Sequence, residues 1–168
     1  MNLSTCFRNF VIIAVKRRRN FMRQVGIFGK RKSGKSALMY ALTKHKIKAT
    51  FKAMEIGSVT KVMLVDTVGV DVEDSTAEKS AQSVEVSLML ITDDSFELEL
   101  GWISKLKKNG SAVIVVISQA DKFPDGGEAL AAAVKEVSGL ETICVSAQTG
   151  AGVEELDAEI NRLLGSRE

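Results

Sequence analysis

The sequence predicts an α/β fold in three layers, a mostly parallel six-stranded sheet with one antiparallel strand and helices on both faces. Three observations predict it. From residue 23 onward, apolar runs of strand length alternate with stretches whose apolar residues recur at helical spacing. One pair of runs, 50–56 and 61–65, is separated by too few residues for a helix, so the two form an antiparallel hairpin. The glycine-bounded stretch Gly29-Lys30-Arg31-Lys32-Ser33-Gly34-Lys35-Ser36 joins the first strand to the first helix, as the opening turn of a doubly wound sheet does.

The first strand is expected over 24–28. The helix after it, 35–44, places Ala37, Leu38, Ala41 and Leu42 on one face, with Lys44, His45 and Lys46 at its C-terminal dipole. His45 reads as a surface residue. Gly57-Ser58 is the hairpin turn, and the third strand ends at Asp66. A polar stretch gives way to a helix over 75–84, then a strand over 87–92. A helix over 96–108 follows, with Trp102, Ile103 and Leu106 on one face, stopped by Asn109-Gly110. The fifth strand, 112–118, has six apolar residues before its serine, the pattern of a strand buried on both faces. The next helix shows Ala129, Leu130, Ala133, Val134 and Val137 on one side. After a strand over 142–145, the last helix, 153–164, carries Val153, Leu156, Ile160, Leu163 and Leu164.

At 168 residues and 45% apolar content, the chain can build one full core. No apolar run approaches the roughly 20 residues of a membrane span. Cys6 and Cys144 match no metal spacing and read as reduced thiols of a cytoplasmic protein. A net charge of +2 hides an asymmetry: residues 1–54 hold 14 Lys or Arg and no acid, and 55–168 hold 9 against 21 acids. Residues 1–22 read as a basic N-terminal extension to a domain covering 23–168. An organellar targeting segment, a surface-binding tail (nucleic acid through Lys16–Arg19 included) and translation from Met22 remain open for it.

The stretch 29–36 has the form G-x-x-x-x-G-K-S, a phosphate-binding loop. Gly29 and Gly34 allow the backbone to bend so that the amides of Lys30, Arg31, Lys32 and Ser33 approach an anion. Lys35 reaches the β/γ-phosphates, the Ser36 hydroxyl suits Mg²⁺, and the next helix adds the positive end of its dipole. Asp66-x-x-Gly69 follows the third strand. An Asp at that strand end is the expected partner of the metal, and the Gly69 amide that of a terminal phosphate. Ser118-Gln119-Ala120-Asp121 closes the fifth strand and Ser146-Ala147 the sixth.

Taken in this order at these strand ends, the four motifs resemble the P-loop GTPases. The resemblance implies the P-loop NTPase three-layer fold, GTP or GDP as ligand and Mg²⁺ as cofactor. It also implies that Asp121 reads the guanine edge while Ala147, beside Ser146, donates to the base. Ile27-Phe28-Gly29-Lys30-Arg31, Phe51-Lys52-Ala53-Met54-Glu55-Ile56 and Asp66-Thr67-Val68-Gly69-Val70-Asp71 narrow it further. They resemble the GTPase domain of HydF, the maturation GTPase of iron-only hydrogenase, near the tRNA-modification GTPase TrmE.

Several positions depart from that pattern. Ser118 and Gln119 stand where the guanine motif has Asn and Lys, an exchange expected to weaken the bonds supporting the site by about 1–3 kcal/mol each. The segment before the second strand is short, and Thr50 is the remaining candidate for the threonine that closes over metal and phosphate. Lys32 stands where this branch has an Asn that holds potassium; its ammonium either stands in for that charge or remains a solvated loop lysine. Val70 follows D-x-x-G and cannot orient water as a glutamine would. The expectation is a slow Mg²⁺-dependent GTPase, with Lys35 and Thr50 as catalytic groups. It would act as a switch in metallo-enzyme maturation with a protein partner or as a homodimer. The alternatives are a nucleotide-binding interaction module with little hydrolysis, and an ATP-using protein.

Overall fold

A computed structural model of the chain describes residues 23–44, 53–56, 60–67, 69–71 and 75–165. The N-terminal extension with Lys16–Arg19 and Cys6, as well as His45, Thr50, the Gly57-Ser58 turn and Val68, lie outside the described residues. The elements run β1 (Arg23–Gly29), α1 (Lys35–Lys44), β2 (Ala53–Ile56), β3 (Thr60–Asp66), α2 (Ser75–Ala81), β4 (Val86–Ile91) and α3 (Glu97–Lys108). They continue with β5 (Ala112–Ser118), a 3₁₀ turn (Ala120–Lys122), α4 (Glu128–Ser138), β6 (Thr142–Val145) and α5 (Val153–Gly165).

The six strands form one sheet in the order β2-β3-β1-β4-β5-β6. Among the described residues four pairings are parallel, and the β2–β3 hairpin alone is antiparallel, with Met54 opposite Val62. From β1 the chain proceeds toward β3, from β4 toward β5. The order thus reverses between β1 and β4, and such a point opens a crevice beyond the carboxyl ends of the strands.

The period of two along each strand divides the core. Ile27, Leu88, Leu90 and Val116 face one side, where they meet Leu38 and Leu42 of α1 and Leu156, Ile160 and Leu164 of α5. Phe28, Met89, Ile91, Val115 and Ile117 face the other, against Ala81 of α2, Ile103 and Leu106 of α3 and Val134 of α4. All six residues of β4 are buried, as a central parallel strand requires. The Ser87 and Ser111 hydroxyls satisfy each other at 2.7 Å. Cys144 lies half-buried beside Ile117, close to Gly127. Burial, followed by the charges of Glu128, Asp125 and Glu155, holds its thiol above the ordinary value.

Three expectations need correction. The helix expected over 75–84 stops at Ala81, because the amides of Gln82 and Ser83 fold back on Lys79 and Ser80, and the Glu85 amide is taken by the Gln24 carbonyl of β1. In α1, Ala37 is exposed, and the buried stripe is Leu38, Ala41 and Leu42. In α4, Ala129, Ala133 and Val137 are exposed, and the helix packs through Leu130, Ala131 and Val134. Asp125 sets the phase of that helix by accepting from the Gly127 and Ala129 amides at 3.0 and 2.8 Å, bonds that also hold its carboxyl below the usual range. Alanines on both sides of a helix give the periodicity no sharp edge.

Gly152, ahead of α5, has φ +72°, and a Cβ there would lie 2.1 Å from the Cys144 carbonyl oxygen. Gly152→Ala is therefore expected to destabilise the domain by about 2 kcal/mol or more, read as a lower urea midpoint at unchanged m-value.

Candidate functional site

The loop between β1 and α1 turns on backbone conformations that its sequence permits. Gly29 has φ +152° and Gly34 φ +92°, and between them Lys32 adopts φ +62°, a left-handed conformation uncommon outside glycine. A Cβ on Gly29 would fall 2.7 Å from Ser33 Oγ and 2.9 Å from the Leu90 carbonyl oxygen, so the close approach of loop to β4 requires glycine. The Ser33 amide closes a turn on the Lys30 carbonyl at 3.3 Å, and Leu38 N to Gly34 O at 2.8 Å begins α1. No acid occupies the first turn of α1, which leaves the positive end of its dipole uncompensated by a carboxylate of its own.

Lys35 is buried, 8% exposed, and its ammonium donates to the Gly29 carbonyl at 3.0 Å and the Lys30 carbonyl at 2.7 Å. The cation is thus fastened to the loop itself. Ser36 is exposed in the first turn of α1. Asp66 ends β3 opposite Ile27 of β1, and next to it the Thr67 hydroxyl donates to the Ile27 carbonyl at 2.7 Å. A hydroxyl and a carboxylate from these two positions are hard oxygen donors, which fit Mg²⁺. Among the described residues, no group of three or more His, Cys, Asp or Glu is suited to a metal.

The segment after Asp66 is docked on the loop. The Val70 amide donates to the Gly29 carbonyl at 3.1 Å. Asp71 accepts from the Arg31 amide at 2.7 Å and from Arg31 Nε at 3.1 Å. Slight burial pushes the Asp71 carboxyl up, but the Arg31 amide and guanidinium prevail and hold it below the usual range. Gly69 is buried against Arg31, and a Cβ there would lie 2.7 Å from the Arg31 amide nitrogen. Val70 is itself buried in the apolar cluster around Phe28.

The ends of β5 and β6 close the other side. Ser118 donates through its hydroxyl to the Ser33 carbonyl at 2.7 Å, and Gln119 through Nε2 to the Lys32 carbonyl at 2.8 Å. Gln119 does so from φ +59°, with Lys122 donating to its Oε1 at 2.5 Å. Both side chains therefore tie the loop to the end of β5. The Ser146 hydroxyl donates to Asp121 Oδ1 at 2.5 Å, fixing one oxygen of a carboxylate that is otherwise exposed. Ala147 follows Ser146, partly buried against the core.

The side chain of Lys30 turns outward from the loop. It pairs with Glu99 at 3.3 Å and Asp93 at 3.4 Å and donates to the Ser95 carbonyl. Glu99 is 1% exposed. Burial pushes its carboxyl up in spite of Lys30. Desolvation pulls the Lys30 ammonium down, but Glu99 and Asp93 outweigh that and raise it. The two shifts are compatible, because Glu99 sits deep while the lysine head stays near the surface. Glu99 and Asp93 are members of the site that the motifs do not name, and Thr67 and Asp71 enter the sequence reading only as parts of the Asp66–Asp71 block. An acid in line with Ile103 and Leu106 on the apolar stripe of α3 was the one legible signal among them.

A cleft of about 780 Å³ between Ala112, Leu140, Ile143 and Leu163 lies at the amino ends of β5 and β6, away from all these motifs. The chemistry-bearing residues gather at the opposite, carboxyl ends. Ser118→Ala would leave the Ser33 carbonyl without its side-chain donor. It is expected to cost about 1–3 kcal/mol, measured by urea unfolding, with Ser118→Thr recovering part of the loss.

The model of the 50S ribosome-binding GTPase family matches residues 24–119. No curated protein sequence matches the chain. Among solved structures, the translation elongation factor SelB from Methanococcus maripaludis, in complex with the GTP analogue GppNHp, is similar with a TM-score of 0.72 and 24% identity. That likeness covers 85% of this chain and 34% of the factor, so the chain spans about a third of that protein. The FeoB G-domain from Methanococcus jannaschii has a TM-score of 0.63 and 18% identity, over 85% of this chain and 97% of that one. A probable GTP-binding protein, EngB, has a TM-score of 0.63 and 17% identity, over 85% and 99%. These likenesses show the fold; the family match covers more than half of the sequence and runs from β1 through the end of β5. The chain belongs to the 50S ribosome-binding GTPase family and is a GTP-binding P-loop protein.

Proposed function

We propose that this chain is a slow, Mg²⁺-dependent GTPase domain acting as a molecular switch, in the maturation of a hydrogenase-like metallo-enzyme. The observation that carries the enzymatic part is the buried Lys35 ammonium, fastened inside a glycine loop that touches both the D-x-x-G segment and the Ser118–Asp121 turn. The amides of Gly29–Ser36 and Lys35 hold the phosphates. Ser36 and Asp66 hold Mg²⁺, which when bound neutralises charge on the β- and γ-phosphates. Gly69 donates to the terminal phosphate, and Thr50 closes over it. Asp121, oriented by Ser146, reads the guanine edge with Ala147. Ser118 and Gln119 hold the loop rather than the base. The link to maturation rests on the resemblance of the Phe51–Ile56 and Asp66–Asp71 blocks to the HydF domain, and a protein partner or a homodimer completes the switch.

Slow turnover follows from Val70. Its side chain is buried in the core, where a glutamine would orient the attacking water. The same observation favours a second reading, an interaction module that binds GTP and scarcely hydrolyses it. Single-turnover hydrolysis separates the two. A rate on the order of 10⁻³ s⁻¹ or slower, falling about 10²-fold in Lys35→Ala, supports the enzyme. A rate equal to that of Lys35→Ala supports the module, and equal competition by ATP would instead mark an ATP-using site.

Lys32 gives a separate prediction. If its ammonium takes the place of a potassium ion, hydrolysis is the same in potassium and sodium buffers. In Lys32→Ala it then falls about tenfold or more. Unchanged kinetics in the variant would leave Lys32 a solvated loop residue.

A further inference from the structure

Arg31 holds two different kinds of contact at once. Its amide and its Nε engage the two oxygens of Asp71, and its stem packs on Gly69, where a Cβ would lie 2.6 Å from Arg31 Cγ. Gly69 is the residue assigned to the terminal phosphate. The guanidinium therefore starts beside the place where a third phosphate would arrive, on a side chain that is 71% exposed and able to turn. Carboxylate and phosphate are alternative partners for the same guanidinium fork. A diphosphate, ending one phosphate short, leaves the Arg31–Asp71 pair intact. A triphosphate brings a competing anion to the guanidinium and sets like charge against Asp71. The docking of 69–71 has a second anchor, Val70 N on the Gly29 carbonyl, so loss of Asp71 does not by itself undock the segment.

We propose that Arg31 discriminates triphosphate from diphosphate in this site, and that Asp71 is its internal competitor, occupying the guanidinium until a terminal phosphate displaces it. This rests on the site reading given above. The side chain of Arg31 then acts as a specificity-determining contact, distinct from the loop amides that serve either nucleotide. Two of the three other basic residues of the loop are differently engaged: Lys30 is turned toward Glu99 and Asp93, and Lys35 lies under the loop carbonyls.

The test is calorimetric binding of GDP and of GppNHp, each with Mg²⁺, to the full chain and to Asp71→Asn, Arg31→Ala and the double variant. Asp71→Asn is expected to tighten GppNHp about fivefold to tenfold more than it tightens GDP, whose phosphates gain only the freed Arg31 amide. Arg31→Ala is expected to weaken GppNHp about tenfold, with GDP nearly unchanged. In the Arg31→Ala background, the Asp71→Asn change in the GppNHp/GDP ratio should shrink to the part owed to charge repulsion alone, about twofold. A ratio unmoved by either single variant overturns the proposal, as does an Asp71→Asn effect of the same size with and without Arg31. If the unaltered chain binds neither nucleotide, the site reading fails and this proposal with it; binding of both with unmoved ratios removes this proposal alone. Thermal melting within a few degrees of the parent shows that the variants are folded. Arg31→Gln, which keeps most of the stem, replaces Arg31→Ala if that variant melts early.

Discussion

A buried ammonium held by two backbone carbonyls is the contact on which the rest of the site depends. Lys35 has surrendered most of its water, and the Gly29 and Lys30 carbonyls take up two of its donors. The loop's geometry is thus set around a buried cation before any ligand is present. The carbonyls can point at Lys35 only if Gly29 and Gly34 take backbone angles that other residues resist. The loop must then be kept from relaxing. It is tied to β5 through Ser118 and Gln119, to the segment after β3 through Val70 and Asp71, and to α3 through Lys30. Each tie reaches the loop from a different element, which distributes the cost of its strained geometry over the sheet.

The sheet makes this possible by being rigid where the ties originate. β4 and the latter part of β5 are buried on both faces, and their alternating residues lock into two separate helical layers. The carboxyl ends of β1, β4 and β5 are therefore fixed relative to one another to the precision of core packing. A glycine-rich loop placed between such ends inherits that precision. A site built from loops alone could not hold the Ser118 hydroxyl at 2.7 Å from a carbonyl 85 residues earlier in the chain.

Much of this was legible from local patterns. The 29–36 loop, the hairpin, and five strands correct to within a residue or two all follow from spacing, because a strand's period and a glycine loop are properties of neighbouring residues. What was not legible depends on partners distant in sequence. Nothing near Ser118 or Gln119 says that their side chains turn back to the loop. Asp71 looks like one more surface acid until Arg31, 40 residues earlier, is set beside it. The face of α4 was misjudged because alanines flank its buried stripe, and Asp125, outside the helix, decides the rotation. Glu99 carries a local signal, because its helical phase with Ile103 and Leu106 puts an acid on an apolar stripe, and Lys30 supplies the cation it calls for.

The half-buried thiol of Cys144 has a consequence of its own. Burial and three nearby carboxylates all disfavour its thiolate, so the sulfur rests protonated and chemically quiet in the native domain. It lies against Gly127, at the amino end of α4, and its own carbonyl faces the glycine that precedes α5. Alkylation of this sulfur is therefore expected to be slow in the native domain and to quicken when the β6 edge parts from its helices. The rate at which Cys144 reacts becomes a clock for breathing at the β6 border of the sheet, two residues from Ser146.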